Sequence, residues 1–83
     1  STHSNMRGLN LVGAYLNNVS FMNQDFSNAN FHQAQMSGAC FTAAILHRTD
    51  FSQAQIDRAD FSQVQMSDAN YARANLENAI LSA

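Results

Sequence analysis

A single cysteine, Cys40, leaves this 83-residue chain unable to form an internal disulfide, so no disulfide scaffold holds it together. Proline is absent, only 12% of residues are charged and 46% are hydrophobic, which is not the composition of a disordered tail. No stretch approaches the roughly 18 consecutive apolar residues that a helix needs to cross a bilayer, so a soluble chain without membrane insertion is expected. Positive charge is scarce too. Arg7, Arg48, Arg58 and Arg73 are its entire basic complement against six acids, a net charge of -2, and this is no electrostatic footprint for nucleic acid. The N-terminus shows no basic flank, apolar stretch and small-residue cleavage site in sequence, so no signal peptide is read there.

What the sequence does contain is a period of five. Stepping from Met6 through Leu11, Leu16 and Phe21 to Tyr71, Leu76 and Leu81, every fifth residue is large and apolar. Elsewhere only eight residues are of this kind: Leu9, Val12, Tyr15, Val19, Met22, Ile45, Val64 and Ile80. Two residues before most centres stands alanine, as at Ala14, Ala29, Ala34 and Ala39. The exceptions are Ser4, Leu9, Val19, Gln24, Thr49 and Val64. Between the two series lies a position rich in Asn, Asp and Gln. A step of five is 72° per residue and matches neither the 100° of an amphipathic helix nor the 180° of a half-buried strand. The pattern fits a coil that turns a corner every five residues and puts one large residue inside on each side. Successive coils would pair their backbones about 4.8 Å apart.

Written from residue 29, the chain reads ANFHQ AQMSG ACFTA AILHR TDFSQ, and this resembles the pentapeptide-repeat family, with a small residue, Asn or Asp, a Leu or Phe, and two polar residues. The resemblance covers residues 4–83. It implies an all-β fold, a right-handed four-sided β-helix with coils at 4–23, 24–43, 44–63 and 64–83. The spacing alone sets five residues per side but not the number of sides. Residues 1–3 precede the repeats and read as a tag or linker remnant. Gln35, Gln55, Gln65, Tyr15, Ile45 and Ile80 depart from the motif's second position, and weaker turns are expected there.

In a twenty-residue coil, residues twenty apart stack. Phe21, Phe41 and Phe61 make an interior column capped by Leu81, beside Leu11, Phe31, Phe51 and Tyr71; such a filled interior leaves no room for a cofactor. Phe41→Asp should therefore unfold the chain, and Ser62→Asp, one residue past a centre, should be nearly neutral. Asn10, Asn30, Asp50 and Asn70 should form an outward amide ladder. Asp57 and Glu77 stack beside Arg58, but a flat solvated face offers nothing to tune a carboxylate pair for acid and base work. Asp50 and Ser52 lie one coil above His32, with the residue types of a hydrolase triad but no nucleophile elbow or pocket. His32 and His47 fall on different sides, and no spacing matches a metal site. Cys40 faces outward.

The candidate interaction surface is formed by apolar residues at usually polar positions and at the ends: Val12, Tyr15 and Met22 in the first coil, and Met66, Tyr71, Leu76, Ile80 and Leu81 in the last. The expectation is a non-enzymatic structural or protein-interaction solenoid, part of a larger protein, without cofactor. Its partner would be a protein, including a second copy in an end-to-end homodimer. The alternative implied by the resemblance is a DNA mimic that inhibits or protects a type II topoisomerase. Duplex DNA carries one charge per about 1.7 Å, so a rod on the order of 20 Å long should display roughly twelve negative charges. This chain has half that number of acids, offset by four arginines.

Overall fold

The computed structural model describes residues 3–81 and contains no helix among them. Residues 1 and 2 of the expected leader and residues 82 and 83 of the expected last coil lie outside the described residues. His3 is held to the solenoid, its Nε2 lying 3.0 Å from the carbonyl oxygen of Ala43.

The five-residue step leaves each side too short for an ordinary strand. Two strands of two residues, β1 (Ser4–Asn5) and β2 (Gln24–Asp25), pair in parallel, with Ser4 opposite Gln24 and Asn5 opposite Asp25. Every other side contributes a single bridging residue, the one just before each centre: Asn10 pairs with Asn30, Tyr15 with Gln35, Ser20 with Cys40, and so on to Asp60 with Ile80. All the partners are twenty residues apart and parallel, so four sides of five residues close one coil. This is the four-sided, right-handed β-helix.

Three backbone hydrogen bonds tie each side to the next coil. Leu11 and Gly13 donate their N–H groups to the carbonyls of Asn30 and His32, and Asn30 donates back to Leu9. The bonds from the centre amides are 2.7–3.0 Å long. Corners follow a single rule. The second residue after each centre, from Gly8 to Asn78, has φ between +57° and +72°. At most corners the alanine position then donates its N–H to the centre's carbonyl, as Ala34 does to Phe31 at 2.9 Å, closing a four-residue turn.

Asn and Asp before a centre complete the corner. Asn5, Asn10, Asp25, Asn30, Asp50, Asp60, Asn70 and Asn75 each accept, through Oδ1, the backbone N–H two residues on, at 2.8–3.1 Å. This is the Asx geometry that short side chains adopt at turns. It corrects one expectation: Asn10, Asn30, Asp50 and Asn70 form no ladder with one another, because each is engaged by its own turn. Amide bonds between coils occur instead from Gln33 to Gln53 and from Asn75 to Gln55.

The interior is filled. Phe31 and Phe51 stack 5.2 Å apart and 4° from parallel, and Phe41 and Phe61 stack at 5.1 Å and 2°, one coil spacing in each case. The two columns meet edge to face, with Phe31 and Phe41 at 5.9 Å and 87°. The corner alanines of the middle coils, from Ala29 to Ala59, are buried, so nothing larger than the space they occupy is left at those corners. Thr49 stands in an alanine column, also fully buried, and donates its hydroxyl to the carbonyl of Phe26 at 2.9 Å. Full burial of one phenylalanine side chain contributes about 1.5–3 kcal/mol, so the middle coils hold most of the fold's apolar stabilisation.

Candidate interaction surface

Every large apolar side chain that is exposed among the described residues belongs to the first or the last coil. Leu9, Val12, Tyr15, Val19 and Met22 are exposed in the first, and Ile80 and Leu81 in the last. The two coils between them, residues 24–63, expose none.

Within the first coil the residues do not form one patch. Val12 and Met22 are ten residues apart, half a coil, and therefore occupy opposite corners, while Tyr15 projects from a side between them with 78% of its surface exposed. The apolar groups ring the coil. Leu9 and Val19 are legible in the sequence as exceptions to the alanine series, but not as surface residues. They share columns with Ala29 and Ala39, which are buried, and in the first coil are themselves 42% and 37% exposed. At the other end Met66, Tyr71 and Leu76 are half-buried against the core, whereas Leu81 is 58% exposed and caps the Phe61 column only loosely. Burial raises the Tyr71 hydroxyl above its ordinary pKa of 10.0, and its O–H donates to the sulfur of Met66. Ile80 stands in the outward column of Ser20, Cys40 and Asp60.

The polar constellations are corner pieces. Ser52 donates its hydroxyl to Asp50 at 2.6 Å and its amide to the same oxygen at 2.8 Å; its own oxygen lies 2.7 Å from Nδ1 of His32. Because the hydroxyl proton is committed to Asp50, His32 is the donor in that contact. The serine therefore sits between the acid and the histidine, whereas a hydrolytic triad requires the histidine in the middle to take the serine's proton. Partial burial would raise the pKa of Asp50, but the Ser52 hydroxyl and amide outweigh it and hold the carboxyl below 3.8. Asp25 repeats the arrangement with Ser27, and Asp60 with Ser62.

His47 does the opposite of His32. Its Nδ1 receives the backbone N–H of Ser67 at 3.2 Å, in a turn where Gln65 offers no short Asx acceptor. Asp57 accepts the hydroxyl of Ser37 from the coil before it at 2.6 Å, which lowers its pKa, and pairs with Arg58 at 3.4 Å. It has no such bond to Glu77. Cys40 is half-buried, with Sγ 3.2 Å from the Thr42 hydroxyl. Among the described residues there is no pocket, no cluster of three or more His, Cys, Asp or Glu side chains able to hold a metal, and no helix long and apolar enough to cross a membrane.

The geometry defines a class, the five-residue-per-side parallel β-solenoid, and sequence comparison agrees. The family of pentapeptide repeats matches in eight copies over residues 4–42 and 44–82. The chain belongs to the pentapeptide-repeat family. Comparison with curated proteins finds no match. Among solved structures it is similar to a pentapeptide repeat protein of the Arabidopsis thaliana thylakoid lumen, with a TM-score of 0.91 and 31% identity over 99% of this chain and 59% of that one. It also resembles HetL of Nostoc sp. strain PCC 7120, a pentapeptide repeat protein involved in heterocyst differentiation regulation. There the TM-score is 0.75 and the identity 21%, over 93% of this chain and 38% of HetL, a likeness of fold alone. The chain thus spans less than two thirds of either relative.

Proposed function

We propose that the chain is a non-enzymatic structural and protein-interaction solenoid that engages partners through its terminal coils. The observation that carries this reading is the segregation of exposed apolar side chains: among the described residues all of them lie in the first and last coils and none in the two between. Scattered surface apolar residues need no explanation, but a set confined to particular coils marks surface that is covered in use. Catalysis has no comparable support, because Asp25, Asp50, Asp60, His32 and His47 are tied into corners. Mimicry of DNA is disfavoured by charge. Arg7 and Arg58 offset Asp25 and Asp57 locally, leaving too few free acids along the rod.

The reading is tested by immobilising the chain and a Val12→Asp, Tyr15→Asp, Met22→Asp variant, identifying the retained proteins by mass spectrometry and measuring the affinity of each purified candidate. A partner bound by the wild type and released by the variant, whose circular dichroism is unchanged, is the expected outcome. Identical retention by both would remove the surface from the proposal.

A further inference from the structure

Two histidines play opposite parts at their corners. A backbone N–H can only donate, so the Ser67 amide, 3.2 Å from Nδ1 of His47, requires that nitrogen to carry no proton. His47 is therefore the neutral tautomer with its proton on Nε2. His32 is fixed the other way, because the Ser52 hydroxyl is committed to Asp50 and Nδ1 of His32 donates to the Ser52 oxygen at 2.7 Å. A second proton leaves the His32 contact intact and adds positive charge beside Asp50. On His47 the second proton goes to Nδ1 itself and takes away the acceptor of the Ser67 amide.

The corner that depends on His47 has little else at its turn. Gln65 makes no bond to the Ser67 amide, whereas Asn70 and Asn75 hold the amides of Ala72 and Glu77 in the same coil at 3.0 Å. Nor does Ala69 donate to the carbonyl of Met66, the bond by which Ala74 closes on Tyr71 and Ala79 on Leu76. A corner with Gln35 in the same place is served by Asn17, whose Oδ1 accepts the Ser37 amide at 2.8 Å. Asn17 and His47 thus hold equivalent positions, each one residue past a centre in the coil before a glutamine corner. The asparagine acceptor does not titrate and the histidine does.

The charged groups around His47 offer a protonated ring no ion pair. On the coils before it, Arg7 pairs with Asp25 at 3.8 Å. In its own coil Arg48 turns to Asn28, to which its Nε donates at 3.0 Å, and Asp50 is engaged by Ser52. In the coil after it, Asp68 follows Ser67. Among the described residues none of these forms an ion pair with His47.

We propose that His47 is a pH-sensitive latch between the third and fourth coils: the neutral ring holds the corner at residues 66–69, and its protonation releases that corner. The bond is present while the ring is neutral and is lost as pH falls and the ring takes up its proton. Histidine is the side chain that ordinarily exchanges a proton between about pH 5 and 8, so the latch works above the range in which Asp57 and Asp60 lose their charge. The backbone bonds from Leu46 to Gln65 and from Arg48 to Ser67 do not titrate, so the coils stay stacked and the opening is local. The latch lies between two coils within the chain and does not rest on the reading of the surface as a partner site.

NMR of the intact chain tests it. At about pH 8, long-range proton–nitrogen correlation should show the proton of His47 on Nε2 and that of His32 on Nδ1. Between about pH 8 and about pH 5, protection of the Ser67 amide from solvent exchange, corrected for its intrinsic rate, should fall roughly five-fold, the loss of one net hydrogen bond, while that of Ala72 stays level. His47→Asn, which sets the Asn17 arrangement at this corner, should keep the amide protected at both pH values. Ser67→Ala removes the hydroxyl that a charged ring would still hold, and the fall at position 67 should persist. A proton on Nδ1 of His47 at the higher pH overturns the proposal, whatever the variants do. So does a Ser67 amide whose protection follows that of Ala72 across the range, a fall that survives in His47→Asn, or one that disappears in Ser67→Ala. Denaturant midpoints are not the readout, because charge gained at His32 beside Asp50 opposes the loss at His47.

Discussion

Oδ1 of Asn17, in the first coil, accepts the backbone N–H of Ser37, in the second, at 2.8 Å. At eight other corners the acceptor is the Asn or Asp two residues before the amide, but here, as at Ser67 where His47 accepts, that place is held by a glutamine, Gln35, whose longer side chain makes no such bond. A residue twenty positions away supplies what the local sequence lacks.

Asn17→Ala should accordingly destabilise the chain by about 1 kcal/mol even though Asn17 is exposed, since it leaves the Ser37 amide without its acceptor. Gln35→Asn restores a local Asx acceptor and should recover most of the loss in the double variant. Urea melts of the two single variants and the double variant measure the coupling, and strict additivity would show that the two acceptors do not substitute for one another.

The interior predicts a steep core penalty and one departure from simple inside-outside logic. Phe41→Ala should cost about 3–5 kcal/mol, because it empties the centre of a column in which Phe41 touches rings above, below and beside it. By its place one residue past a centre, Ser62 would be free to vary. Its hydroxyl and amide are both donated to Asp60, however, so Ser62→Asp removes one bond and brings a second carboxylate against the first. Ser62→Asp should therefore destabilise measurably at neutral pH, and Ser62→Thr, which keeps the hydroxyl, far less. Denaturant midpoints of the three variants rank them.

Acid should loosen the corners. The Ser62 hydroxyl and amide, against a small contribution from burial, hold the Asp60 carboxyl below 3.8, and the Ser37 hydroxyl does the same for Asp57. A carboxylate whose pKa is depressed by folding contributes stability that is fully present above the unfolded value and is lost as pH falls through the folded one. Denaturant midpoints should be flat in the range above the ordinary value of 3.8 and decline below it. The variant Asp60→Asn, which keeps the Oδ1 acceptor without the titration, should show a shallower decline.

Two exposed glutamines should respond in opposite directions to the same change. Gln53 has φ of +57°, whereas Gln55 is the bridging residue of a short ladder between Gln35 and Asn75. Each shares one side-chain bond with a neighbouring coil, so that loss is matched. Gln53→Val forces a β-branched side chain into the left-handed region and should cost about 1–2 kcal/mol, while Gln55→Val should be neutral or slightly stabilising. Thermal unfolding of the pair separates backbone strain from surface chemistry.

Much of the fold is legible because the chain repeats a local instruction. Which residue points inward depends on its position within five, and Met6 through Leu81 announce that position in their own side chains. The alanines mark where the corner closes. Leu9 and Val19 are equally visible as departures from alanine, yet only the structure shows them exposed where Ala29 and Ala39 in the same columns are buried. The spacing puts Asn10, Asn30, Asp50 and Asn70 in one column correctly but suggests the wrong partner, since an Asx side chain finds its own turn before it finds a neighbour.

The sequence by itself determined the five-residue side, the filled interior and the gathering of outward Val12, Tyr15 and Met22 in the first coil, because these follow from side-chain type at a fixed local spacing. Only the tertiary structure decided that residues twenty apart pair in parallel, that Asn17 serves the corner of Gln35, and that Val12 and Met22 stand on opposite corners. Those facts concern backbone groups and distances between coils. Every residue of this proline-free chain carries the same N–H and C=O, so no choice of side chain records which of them bonds to the next coil.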